Sequence, residues 1–225
     1  MRSLLQPSVI KVSALAAAVT GLLCLPRLLL WTARPLPLWY LVAALVLTAF
    51  VMWSFVIGWH EKYSRRKPFQ FSRSPVCWAL ATTLGLAGAW YLNRFVDPLL
   101  RLRSPEDFPA DATAWLAMTL FSLSFTGLFL VLSPLDFFLR LTRRRAVAVT
   151  LLAAFNLFFL YLKLTAPDAP EPPFALMTVI GLRMISVLLS ACFYLEGGVW
   201  VFWWWSLLLQ SRHLAALLIS GGSQA

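Results

Sequence analysis

Seven apolar stretches divide the chain, at roughly 8–31, 38–59, 76–93, 112–133, 146–164, 174–195 and 198–219. Crossing a hydrocarbon layer about 30 Å thick takes about 20 residues at the helical rise, and each stretch is near that length. The connectors carry proline and charge, as helix breakers should: RPLP at 34–37, RSPEDFPAD at 103–111 and APDAPEPP at 166–173. Irregular backbone cannot face lipid, where an unpaired amide costs several kcal/mol. The pattern therefore predicts an all-α fold: a polytopic transmembrane helical bundle of about seven spans. With no internal repeat and no soluble stretch, residues 1–225 read as a single integral membrane helical domain.

The last two stretches need a break, because Phe174 to Ser220 is too long for one crossing. Glu196-Gly197-Gly198 supplies it, since glycine adopts the positive φ that ends a helix. Glu196 reads as a solvated turn residue. Trp200, Trp203 and Trp204 follow on one helical face as interfacial anchors. His213, beside Arg212, reads as a packing residue with no acid or cysteine at its depth. The last span either crosses fully or ends near Leu209 with the tail at the surface.

Composition sharpens the membrane reading. The chain is 60% hydrophobic and 12% charged, with a formal net charge of +10. That charge does not indicate nucleic acid, because the cations concentrate in short connectors. Residues 60–75 hold Lys62, Arg65, Arg66, Lys67 and Arg73 against Glu61, and residues 140–145 hold four arginines and no acid. Residues 93–111 and 165–173 are acidic on balance. Lys and Arg set orientation, so the two basic connectors and the amino terminus are expected on the cytoplasmic side. The expected setting is a bacterial-type inner membrane, with membrane lipids as partners and a membrane-protein partner allowed. Arg27 and Arg34 fall on the opposite side and resist the rule. The first stretch is long for a signal peptide's apolar core and lacks an A-x-A site, and it reads as a retained helix.

Polar residues inside the apolar stretches are the candidate functional groups. Arg183 sits near the centre of its stretch, where an arginine costs about 2.5–3.5 kcal/mol on insertion scales and faces the bundle interior. Asn156 lies at the matching depth on an oppositely directed stretch, so an Arg183–Asn156 contact is expected. Glu196 is about 20 Å further along Arg183's own helix and cannot reach it. Asp136 follows Ser133-Pro134, which interrupts the fourth stretch. It reads as a capping acid in the first turn of a restarted helix. Arg140 lies four residues on, so the two can form an ion pair at the cytoplasmic boundary. Cys24, Cys77 and Cys192 show neither CxxC nor a Cys/His metal spacing, and HExxH, GxSxG and P-loop patterns are absent. No metal or cofactor is expected, and no intramembrane histidine pair is available for haem.

Residues 133 to about 214 resemble the core of the CAAX protease and bacteriocin-processing (CPBP) intramembrane proteases, within a core region of residues 112–219. SPLDFFLRLTRRR takes the place of that family's EExxxR helix, with Leu135 and Asp136 at the two glutamates and Arg140 at the arginine. AAFNLFFLYL is similar to the FxxxH span, with Phe155 at the aromatic position and Phe159 at the histidine. FYLEGGVWVFWWWSLLLQ resembles the glycine-turned closing hairpin, with Ser206 and Gln210 at the HxxxN positions. The resemblance implies an intramembrane protease fold in which an acid activates water. General base work needs a carboxylate with a raised pKa and a route for its proton. Of the motif residues only Asp136 and Arg140 could carry that chemistry. The expectation is a non-enzymatic, CPBP-like scaffold binding a partner helix or a lipid through its bundle interior. Two other readings remain: an intramembrane hydrolase using Asp136 and Arg140, and a subunit of a larger complex or a small transporter.

Overall fold

A computed structural model describes residues 4, 6–32, 35–64, 67–101, 105, 108–164 and 173–222. Arg34, Arg65, Arg66, Arg103, Glu106, Asp107 and residues 166–172 of the APDAPEPP connector lie outside the described residues. Helices α1 (Pro7–Trp31), α2 (Pro35–Ser64) and α3 (Pro75–Tyr91) come first, and α3 continues through a π turn (Leu92–Val96) into the short α4 (Asp97–Arg101). Helix α5 (Ala112–Phe121) passes through two π segments, Ser122–Thr126 and Leu128–Leu132, into α6 (Ser133–Thr142). Helices α7 (Arg145–Leu164) and α8 (Pro173–Gly222) complete the bundle. Among the described residues there is no strand. Among the described residues six helices are long and apolar enough to cross a membrane, so the molecule is an all-α polytopic bundle.

Helix α8 counts once among the six although it makes two passes: it runs helical almost without interruption, its one non-helical residue being Gly198 at φ 73°, ψ −169°. That residue reverses the chain. Trp205 Nε1 donates to Ser190 Oγ at 3.2 Å, and the Phe193 and Trp205 ring centroids are 5.2 Å apart. In a straight helix residues 190 and 205 would be about 22 Å apart. Helix α8 is thus a hairpin of two legs, as the glycine pair predicts.

Ser133-Pro134 does not break the fourth span. The residue before α6, Leu132, is itself helical at φ −63°, ψ −57°, and the helix runs from α5 through the π segments into α6. A proline removes the N–H that would bond the carbonyl four residues earlier, here that of Leu130. Asn156 Nδ2 donates to Leu130 O at 2.8 Å in its place. The widened π segment and a neighbour's amide together satisfy the backbone that Pro134 leaves unpaired.

The principal core lies between α1, α2, α6, α7 and α8, with Ala49, Trp53, Val56, Leu132, Leu135, Leu152 and Tyr194 within it. On α2 the buried Ala49, Trp53, Val56 and His60 follow at steps of four, three and four, one face of a helix. Small residues let the helices approach, as is usual in membranes. A Cβ added at Gly85 of α3 would meet the Leu208 side chain at 2.9 Å. Polar links reinforce these contacts: Trp53 Nε1 donates to Thr20 Oγ1, and Trp204 Nε1 donates to Thr82 Oγ1.

Candidate functional site

Three helices contribute one polar side chain each to a single buried point. The Asp136 Oδ1 of α6 lies 2.9 Å from His60 Nδ1 of α2. Its Oδ2 accepts from the Tyr194 hydroxyl of α8 at 2.6 Å. All three residues have zero exposure. The His60 and Tyr194 rings also face one another, with centroids 4.4 Å apart. With Asp136 ionised, Nδ1 of His60 carries the hydrogen of this bond, because a carboxylate only accepts. The far nitrogen, Nε2, is buried without a partner.

From its position after Ser133-Pro134, Asp136 is expected at the cytoplasmic boundary, paired with Arg140. The structure gives a different arrangement. Asp136 is on the inward face of α6, and because the helix is continuous from the preceding π segment it caps no free end. Arg140 points elsewhere: its guanidinium carbon lies 4.2 Å from the centroid of the Trp59 ring, a cation–π contact. Trp59 in turn stacks on Phe55 with centroids 4.5 Å apart. Asp136 faces α2 and α8, while Arg140 covers the aromatic ridge beside it.

Arg145 ties the basic end together. It donates to Glu196 Oε1 at 3.3 Å and to the Ser64 carbonyl at 3.2 Å. The latter is at the C-terminal end of α2, where a cation suits the helix dipole. Ser64 Oγ donates to the His60 carbonyl, so the buried cluster and the outer ion pair share a helix turn. The Arg145 and Glu196 side chains are 52% and 56% exposed, so screening leaves that pair worth little by itself.

The expected Arg183–Asn156 contact is present: Arg183 Nη2 donates to Asn156 Oδ1 at 3.0 Å. Asn156 is buried, and its amide nitrogen also reaches Leu152 O at 3.1 Å. The pair therefore repairs the proline gap in the neighbouring span while seating the arginine.

A second polar cluster occupies the opposite end of the bundle. Arg212 Nε donates to Asp97 Oδ2 at 3.0 Å, and His213 Nδ1 is 3.9 Å from the same oxygen. This corrects the expectation that no acid shares His213's depth: the π turn carries the chain past Tyr91 and brings Asp97 of α4 to α8. Burial pushes the Asp97 carboxyl up, and the Arg212 guanidinium draws it back. The second leg of α8 stays helical past Leu209, to Gly222, and Trp115 Nε1 of α5 donates to Gln210 O.

The positions that carry the CPBP resemblance do not converge. Leu135 is buried in the apolar core. Phe159 is in an aromatic cluster, 4.9 Å from Phe155 and 5.4 Å from Phe129. Gln210 donates to Ser122 Oγ, about 18 Å along α8 from the Gly198 turn and well away from Asp136. Among the described residues no group of three or more His, Cys, Asp or Glu could hold a metal. No protein-family model, curated protein or solved structure matches this chain.

Proposed function

We propose that the protein is a non-catalytic multi-pass membrane scaffold whose buried His60–Asp136–Tyr194 cluster clasps α2, α6 and α8, leaving its outer surface to bind lipid or a partner helix. One observation carries this reading. Each carboxylate oxygen of Asp136 is taken by a neighbouring side chain, and all three residues have zero exposure. A carboxylate that activates water needs an oxygen within hydrogen-bond reach of that water. A closed cluster is instead suited to fixing helix positions, a use attested for some buried polar groups.

The CPBP resemblance enters this proposal as descent of the scaffold. In that account Leu135, Phe159, Ser206 and Gln210 stand where the family carries its proton-transfer groups, and only the helical framework is retained. The bundle's basic end, with the amino terminus, faces the cytoplasm, a placement supported by the concentration of Lys and Arg in the two basic connectors.

The hydrolase reading has one supporting feature, since a histidine beside an aspartate is also part of a general-base pair. Terminal-peptide mass spectrometry on membranes from cells carrying the wild type or Asp136→Asn separates the two. The scaffold predicts the same set of protein termini in both. Termini that appear with the wild type and vanish with D136N would overturn it.

A further inference from the structure

The connection between α2 and α3 forms a cavity of about 360 Å³ against the α8 turn, lined by Lys67, Gln70, Ser72, Arg73, Ser74 and Gly198 among others. It lies where chain enters the membrane, since the α3 span begins at Pro75. We propose that this cavity binds the phosphate of an anionic phospholipid headgroup. The inference deepens the scaffold reading by naming a ligand class, and it rests on that reading's membrane placement.

The walls are preformed by bonds that the cavity's own cations do not make. Val199 N–H donates to Pro68 O at 2.9 Å, and Trp200 Nε1 donates to Phe69 O at 3.0 Å. On the other side Trp78 Nε1 donates to Ser72 O at 3.0 Å. The loop is thus held from both α8 and α3, and little ordering remains to be done on binding. Gly198 allows the close approach, because a Cβ there would lie 2.8 Å from Pro68 O.

The charges are unspent. Among the described residues neither Lys67 nor Arg73 has a carboxylate partner, whereas the nearby Glu196 is engaged by Arg145. Two cations facing one cavity match a phosphodiester, with the arginine able to grip two oxygens at once. Ser72 and Ser74 add hydroxyls at the same wall, and Ser74 caps α3 by accepting from Cys77 N–H. The helix's positive end therefore lies at the same wall as Ser74. Phe71, 63% exposed and stacked on Trp78 at 5.0 Å, gives the rim an apolar edge for the glycerol and first acyl carbons. Free inorganic phosphate would use the charges but not that edge.

The test is lipid retention by the full-length protein in native mass spectrometry, after exchange into micelles holding equal phosphatidylglycerol and phosphatidylcholine. The wild type should retain phosphatidylglycerol in preference, and Lys67→Gln with Arg73→Gln should cut that preference roughly 10-fold or more, the scale of two surface cations. Arg143→Gln with Arg144→Gln should leave it intact, which separates a site from general attraction to a basic face. Equal retention of both lipids, no change in K67Q/R73Q, or an equal loss in R143Q/R144Q would overturn the proposal. So would thermal stabilisation by inorganic phosphate alone matching that by the lipid, because the source would then be soluble. None of these outcomes alters the terminal-peptide result, so the two proposals fail separately.

Discussion

At the residue scale, the consequential contacts are those that join a buried charge to a partner on another helix. Removing one member of such a pair leaves the other stranded, at about 3–5 kcal/mol, while replacing the whole set with apolar groups of similar volume is often neutral or better. Asp136→Ala should therefore destabilise by about 3–5 kcal/mol. His60→Leu, Asp136→Leu and Tyr194→Phe combined should recover most of that loss. Thermal melting in detergent micelles checks both, and a triple variant no better than D136A would mean that the cluster does more than hold helices. Arg183 and Asn156 were legible in the sequence because depth alone pairs them: both fall mid-span on oppositely directed helices, and a buried arginine must find an acceptor. His60 was not, because the second apolar stretch ends by composition at Trp59. The signal lay in spacing, since His60 continues the face set by Ala49, Trp53 and Val56, a periodicity that a tally of connector charges hides.

At the element scale, the chain's irregularities decide the architecture. Gly198 occupies φ 73°, ψ −169°, a region essentially confined to glycine. Other residues there cost of order 1–3 kcal/mol. Gly198→Ala adds a Cβ 2.8 Å from Pro68 O, so it should lower the melting temperature and loosen the α2–α3 loop docked on that turn. Gly181→Ala on the same helix meets nothing within 4 Å and should not. Equal effects from the two would detach the turn from the fold's stability. The hairpin was readable from two adjacent glycines after a glutamate. The behaviour of Ser133-Pro134 was not. Proline predicts a break, but the break is healed by a π segment and by Asn156 from another helix, and no local pattern shows which neighbour will supply the missing donor. The same healing turns Asp136 inward and separates it from Arg140.

At the scale of the whole molecule, the bundle has two unlike ends. One gathers the Arg143–Arg145 turn, the Lys67–Arg73 loop and the Glu196–Gly198 reversal, joined through Arg145–Glu196 and Val199–Pro68. The other gathers Asp97, Arg212 and His213. Apolar length and connector charge made this polarity legible, because both are properties of composition that tertiary contacts do not override. The proposed topology sets these ends on opposite sides of a membrane, with the basic end inside. Labelling by a membrane-impermeant maleimide tests it most directly, using Arg144→Cys and Ala110→Cys in a background with Cys24, Cys77 and Cys192 replaced. Position 110 should label in intact cells, and position 144 only after the membrane is opened. Labelling of both positions from the same side would contradict it.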